Sequence, residues 1–343
     1  MSVRLSVPDR VRYFSERAAW FAAGAAFGKL LGRAVGVQPT PPRRETVLAL
    51  RRRLVGLVRS DLRNVELGHY PRALLSTSLG RQFLRVLPVL VRDAPRFAAR
   101  KRDGNFKDLP TDLELSRFPA YYRRTFHWQT DGYLSDASAA VYEATVELLF
   151  RGTADVMRRQ VIPHISRMRS SGQRLERLLE LGAGTGGLLA MLAQCFPGLQ
   201  LDGIELSPFY VKEANRRLEG RARVVEGNAE RLAAADATYD VVTSVYLFHE
   251  IPRRVRRNVV REAYRVLRPG GLLVIEDSSQ YADAPELREV LDGFPREFHE
   301  PYYADYLTDS LPALVRESGF HVEAHESHMV SVVVAARKPA ASA

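Results

Sequence analysis

The sequence predicts an α/β fold: a mostly parallel seven-stranded sheet closed by a C-terminal antiparallel hairpin, preceded by a helical domain. Three observations predict it. After Ser170, short apolar runs alternate with helical stretches, the pattern of a parallel sheet flanked by helices. The last two runs, Phe320–Glu326 and Met329–Ala335, are separated by only a few residues. A link that short cannot make a parallel crossover, so those two strands must be antiparallel. Before Ser170, the apolar spacing is helical.

In order along the chain, residues 1–38 read as a helical arm ended by Pro39, Pro41 and Pro42. Val47, Leu50, Leu54, Leu57, Val58, Leu62 and Val65 make one apolar face over 45–68, which Gly68 and Pro71 stop. A third helix is expected over roughly 72–91, then an aromatic and polar loop over 101–136. A further helix is expected over 137–168, split near Pro163. Five strands follow, at Leu175–Leu181, Leu199–Glu205, Arg223–Glu226, Asp240–Val245 and Leu272–Glu276, before the hairpin. Two domains are therefore expected, 1–170 and 171–343, each long enough to bury a core.

Charge divides at the same place. Residues 1–170 hold 30 Lys+Arg against 15 Asp+Glu, and the rest 20 against 25, which together give the net +10 of the 343-residue chain. A basic half could meet an anionic membrane surface, nucleic acid or an acidic substrate, or be a solvated Arg-rich surface. Ala18–Val37 comes nearest to a membrane span, but Lys29, Arg33 and its glycines interrupt it. The N-terminus lacks the pattern of a signal peptide. Cys195 is the single cysteine, so no intrachain disulfide forms. A cytoplasmic setting is expected.

The chemistry begins at Glu180-Leu-Gly-Ala-Gly-Thr-Gly-Gly187, which ends the first strand and opens a helix. Its glycines permit a tight turn and close approach of backbone to a ligand. The same residues fit a dinucleotide fingerprint, which alone is weak. Glu180 argues otherwise, because a carboxylate there suits an ammonium and would repel a pyrophosphate. Glu205 ends the next strand about 20 residues on, where it can accept from two ribose hydroxyls. Leu267-Arg-Pro-Gly-Gly271 reads as a tight turn before the fifth strand.

Glu180–Gly186, Ile204-Glu205, Glu226-Gly-Asn-Ala229, Asp240–Ser244 and Leu267–Gly271 together resemble the class I methyltransferases that use S-adenosylmethionine (SAM). The resemblance covers about 171–337. It implies a Rossmann-like fold, SAM as cofactor, and a helical cap or substrate domain over 1–170. It also implies a cofactor site at Glu180, Gly182, Ala183, Gly184, Thr185, Gly186, Glu205, Leu206, Asn228, Ala229 and Tyr246, with Asn228 and Ala229 beside the adenine. The family usually has Asp where Asn228 stands, and the carboxamide oxygen can still accept from the adenine amino group.

Tyr246-Leu-Phe-His-Glu-Ile-Pro252 follows the fourth strand, where ligands of such sheets sit, and Phe298-His-Glu-Pro-Tyr-Tyr303 follows the fifth. These segments resemble the ubiquinone/menaquinone branch, which methylates ring carbons or hydroxyls of small, often lipophilic molecules. Methyl transfer is an in-line displacement that often needs a base, and histidine suits the task. His249 is the leading candidate, then His299, with Glu250 a third. Helix-start or packing roles compete for all three. Tyr121, Tyr122, His127 and Trp128, in the aromatic loop, and Tyr302 and Tyr303 are expected to line the acceptor pocket. One cysteine and scattered histidines give no zinc pattern, so no metal is expected.

The leading expectation is therefore a SAM-dependent methyltransferase acting on O or C of a small lipophilic or aromatic acceptor. An RNA acceptor gripped by the basic half, and a SAM-binding regulator without turnover, are the alternatives. The sequence lacks the Asn/Asp-Pro-Pro-aromatic tetrad and the Pro-Cys nucleophile of DNA-modifying enzymes, which weighs against nucleic acid. A peripheral membrane contact through the basic half is a further expectation. Oligomeric state is left open.

Overall fold

A computed structural model of the protein describes residues 4–35, 41–76 and 79–340. Pro39, expected to help end the first helix, lies outside them.

The first part of the chain is helical: α1 (Val7–Val35), α2 (Arg44–Glu66), α3 (Leu79–Asp103), α4 (Asp136–Leu149), α5 (Ala154–Arg158) and α6 (Ile162–Ser170). Two expectations are corrected here. The third helix starts later and runs further than 72–91, to Asp103, with Pro88 and Pro95 inside it. A 3-10 turn at Arg72–Leu75 occupies its expected start. The helix expected over 137–168 is broken at Arg151 and Gly152, both at positive φ, and again at the 3-10 turn Arg159–Val161. Pro163 breaks nothing, since it sits in the first turn of α6, where its missing N–H costs no helical bond.

The second part alternates as expected. Strands β1 (Arg177–Leu181), β2 (Gln200–Glu205), β3 (Arg223–Glu226), β4 (Tyr239–Val245), β5 (Leu267–Ser278), β6 (His321–His328) and β7 (Ser331–Arg337) form one sheet in the order β3-β2-β1-β4-β5-β7-β6. The first five are parallel, and β7 lies antiparallel to both β5 and β6. The Rossmann-like sheet with its terminal hairpin is thus the observed fold. Helices α7 (Gly187–Cys195), α8 (Pro208–Leu218), α9 (Arg253–Val266), α10 (Arg288–Glu297), α11 (Tyr303–Thr308) and α12 (Leu311–Glu317) connect the strands. The expected turn at Leu267–Gly271 is instead the start of β5, with Leu267 paired to Tyr239 before a register shift.

The change of texture at Ser170 does not separate two cores. Leu5, Tyr13, Leu62, Val65, Tyr70, Leu74 and Leu75 pack in the same cluster as Val161, Ile165, Leu178, Leu189, Val241 and Val333. An ion pair crosses the helical layer as well. Arg159 sets both Nε and Nη2 on the carboxylate of Asp61, each at 2.5 Å, with both side chains fully buried. Tyr13 and Tyr70 add hydroxyls to the same carboxylate at 2.7 and 2.6 Å. A buried charge must be paired and hydrogen-bonded, and four donors from three segments do this for Asp61.

Candidate functional site

A cleft opens at the carboxyl ends of β1, β2 and β4, the place where open α/β sheets bind ligands. Its sheet-side wall is Gly182, Gly184, Glu205, Leu206, Asn228, Ala229 and Tyr246. Its opposite wall is aromatic: Tyr121, Tyr122, Phe126, Tyr133, Tyr142 and Tyr210. The glycine loop turns with Gly182, Gly184 and Gly186 all at positive φ, conformations that favour glycine. A Cβ on Gly187 would lie 2.5 Å from the Arg158 guanidinium, so this glycine lets Arg158 reach the loop.

Glu205 is held at the tip of β2. Its Oε2 accepts from Gly184 N and its Oε1 from Ser207 N, both at 2.9 Å. Tyr122 reaches over from the aromatic wall and donates to Oε1 at 3.4 Å. Behind the loop, Glu143 of α4 accepts from Thr185 Oγ1 (2.7 Å) and from Arg158 (2.9 Å). Burial opposes the charge of Glu143, but Arg158 and Arg217 outweigh it and hold the carboxyl down at about 2. For Glu180 the balance is reversed: burial outweighs the help of Arg158. Glu180 is buried, its Oε2 has no hydrogen-bond partner, and burial pushes its carboxyl up to about 8. An orphaned buried carboxylate is the mark of a group waiting for a cation.

Asn228 closes the far end. Its Oδ1 already accepts from Glu230 N at 2.8 Å, so one of the oxygen's two lone pairs remains for a ligand. Glu230 in turn takes the Tyr121 hydroxyl (3.0 Å) and the Asn258 amide (2.9 Å). These features fit SAM. Glu180 offers the unpaired charge its ammonium needs, Glu205 a carboxylate at the strand tip, and Asn228 a polar edge.

The family model described as "Methyltransferase domain" matches residues 178–271. The 27-O-demethylrifamycin SV methyltransferase of Amycolatopsis mediterranei is 31% identical over 207 residues, 57% of this chain and 67% of that protein. The chain belongs to the class I SAM-dependent methyltransferases. Two further relatives match over less of their own length. The rice 24-methylenesterol C-methyltransferase 2 is 33% identical over 43% of this chain and 41% of that protein. The ubiquinone/menaquinone biosynthesis C-methyltransferase UbiE of Methylobacterium nodulans is 32% identical over 38% and 52%. SAM is the methyl donor.

Not every residue expected at the methyltransferase site lies on the cleft. Glu180, Ala183, Thr185 and Gly186 are not among its lining residues: Glu180 is buried near the end of β1, and Gly186 caps α7. His249 does not line the cleft. It is buried, with Nδ1 on Asp277 Oδ1 at 2.7 Å and its ring edge-on to Tyr246, Tyr303 and Tyr306. Burial opposes its charge, but Asp277, with Glu300 and Glu250 behind it, pushes the imidazole up to about 9. A histidine protonated at neutral pH is a poor general base. His299 is stacked 4.8 Å from Phe106 and packed against Trp128, and burial lowers it to about 4. It too lies off the cleft, as do Trp128, Tyr302 and Tyr303. Tyr302 lies under the Arg124 guanidinium, and Tyr303 shares a hydrogen bond with Ser278.

Glu250 does line the cleft. Burial, then the charge of Glu300, pushes its carboxyl up to about 7. His127 lies beside it, in a turn where His127 and Trp128 both have positive φ. The histidines scattered in sequence therefore meet in space, with His127, His249, Glu250 and Glu300 converging. Arg256 fixes this region by donating to Phe248 O (2.9 Å), Tyr302 O (3.0 Å), Asp305 and Asp309. Sequence reasoning missed Tyr142, Glu143, Arg158 and Tyr210. Two adjacent arginines inside the apolar stretch 156–165 were the available signal for Arg158.

Proposed function

We propose that this methyltransferase transfers the SAM methyl group to an oxygen or carbon of a small aromatic or lipophilic acceptor that ionises on its own, such as a phenol, hydroquinone or enol. The cleft's two-sided lining supports this reading: cofactor residues on one wall, five tyrosines and a phenylalanine on the other. Such a wall offers apolar area with a few hydroxyl handles, which suits a ring and not a phosphate backbone. Among the described residues no histidine lines the cleft, and Glu250, which does, already accepts from Tyr133, so the proton is best lost from an acceptor already acidic. The acceptor anion attacks the methyl carbon, the new O–C or C–C bond forms as the S–C bond breaks, and neutral S-adenosylhomocysteine leaves. The sulfonium itself draws the anion in. The relatives named for rifamycin and quinone substrates are in keeping with an acceptor of this kind.

The test is turnover of labelled SAM against panels of phenols, quinols, sterols and total RNA. Phenol or quinol methylation is expected, with a pH–rate limb that moves with each acceptor's own pKa. Transfer to RNA alone, or a limb fixed across acceptors, would overturn the reading.

A membrane contact through the N-terminal half is proposed on a separate observation. Val7, Val11, Phe14 and Phe21 are exposed along α1 at helical spacing, with Arg4 and Arg12 exposed nearby. Among the described residues no helix is long and apolar enough to cross a membrane, so contact would be interfacial. Sedimentation with anionic vesicles but not with neutral ones is expected, and Phe14→Ser with Phe21→Ser should abolish it. Equal recovery with both vesicle types would argue against it.

A further inference from the structure

Four side chains from three separate segments converge beside the cleft, which only Glu250 among them lines. They are His127 from the aromatic loop, His249 and Glu250 from the turn after β4, and Glu300 from the loop before α11. One ligand-type atom from each lies within 4.8 Å of all the others. His127 Nε2 contacts Glu300 Oε1 and stands 3.8 Å from Glu250 Oε1. The Glu300 side chain is fully buried; its Oε1 meets His127 Nε2, and its Oε2 has no partner. A buried carboxylate with one oxygen unsatisfied, beside a second carboxylate, is costly unless more positive charge sits between them.

We propose that His127, His249, Glu250 and Glu300 bind one divalent transition-metal cation that fastens the aromatic loop to the sheet. Two imidazoles and two carboxylates suit a borderline cation such as Zn2+ better than Mg2+, which prefers oxygen ligands and keeps its waters. Four protein ligands close the coordination shell, the pattern of a structural site. The surrounding contacts are those of such a centre. Asp277 holds His249 by Nδ1, which leaves Nε2 as the ligand nitrogen, and Tyr133 donates to Glu250 Oε1 at 2.5 Å. The cation would tie residue 127 to residues 249, 250 and 300, and so set the height of the aromatic wall above the methyl donor. This inference does not depend on which acceptor is methylated.

The experiment uses the full chain, stripped with a chelator and then titrated with ZnCl2 in a calorimeter, with MgCl2 as comparison. One Zn2+ per chain is expected, with no comparable Mg2+ binding. The Co2+-loaded protein should show the intense visible bands of a tetrahedral site. Glu300→Gln keeps the side chain's shape and removes a ligand. It should weaken Zn2+ binding by more than about 100-fold, since loss of a mere outer partner already costs 10–100-fold. In chelator this variant should melt no lower than wild type, because it removes a carboxylate repulsion. Added Zn2+ should raise the melting temperature of wild type only. No Zn2+ uptake by the stripped wild type would overturn the proposal. So would uptake unchanged in Glu300→Gln.

Discussion

SAM binding should release a proton from Glu180, and the affinity should climb with pH. Without ligand, burial holds this carboxyl at about 8, so at pH 7 most molecules carry it protonated. An arriving ammonium requires the carboxylate, which lowers the pKa in the complex. The sign follows: a group that loses its proton on binding makes binding tighter as pH rises towards its ligand-free pKa. Deprotonation one unit below that pKa costs about 1.4 kcal/mol, about a tenfold loss of affinity at pH 7. Affinity should therefore rise nearly tenfold per unit from pH 6 to 7.5 and flatten near 8. Beyond that it should fall, as the ligand's own α-amino group, with a pKa of about 7.7–8.0, gives up its charge. Calorimetry in two buffers of different ionisation enthalpy should show about 0.8 protons released per SAM at pH 7, the release from Glu180 less the small uptake by the ligand's amino group. Glu180→Gln should abolish the slope. It should bind more weakly at pH 8 by about 1.5–3 kcal/mol, the worth of a hydrogen bond to a charged group, and nearly as well as wild type at pH 6. A flat affinity from pH 6 to 7.5 in the wild type, or the same slope in the variant, would refute the assignment.

Other outcomes can be stated more briefly. Glu205→Ala should weaken both SAM and S-adenosylhomocysteine by about 1.5–3 kcal/mol per lost charge-assisted hydrogen bond, read by calorimetry; unchanged affinity would remove Glu205 from the site. Asp61→Ala should destabilise the fold by about 3–5 kcal/mol in urea titrations, because Arg159 is left as an uncompensated buried charge. Deleting residues 1–100 removes Asp61 together with Leu62, Val65, Tyr70 and Leu74 of the shared core. That deletion should therefore give insoluble or unfolded protein by circular dichroism, and a folded, SAM-binding fragment would show that the sheet carries its own core.

The sheet and the cofactor loop were legible because their signals are local. Short apolar runs, glycines at a turn and carboxylates near the ends of β1 and β2 can be read within a dozen residues. The helical half was harder. The third helix, expected to stop near 91, runs on to Asp103 through Pro95, a residue that disfavours a helix interior. The candidate bases were legible as residue types but not as positions. His249 follows β4 as expected, but Asp277, 28 residues later, turns its Nδ1 away from the cleft. Glu143 and Arg158 reach the glycine loop from helices far back in the chain, and no spacing rule connects them. The meeting of His127 with Glu250 and Glu300 depends on a loop conformation that propensity does not encode.

The place of β7 has a consequence for how the protein is made. This strand follows every other element in the chain, yet it lies between β5 and β6 with Val332–Ala336 wholly buried. While the ribosome is still adding residues before 331, β5 has an open edge and the apolar surface around Val274 and Ile275 lacks its partner. Nascent chains with such unpaired edges are prone to aggregate, so this polypeptide is most exposed late in synthesis. Pairing β7 with β5 joins residues some 60 positions apart, and contacts of that separation form slowly. A chain cut between β6 and β7 would hold every side chain of the cofactor site, and the sheet that carries them would be unable to close.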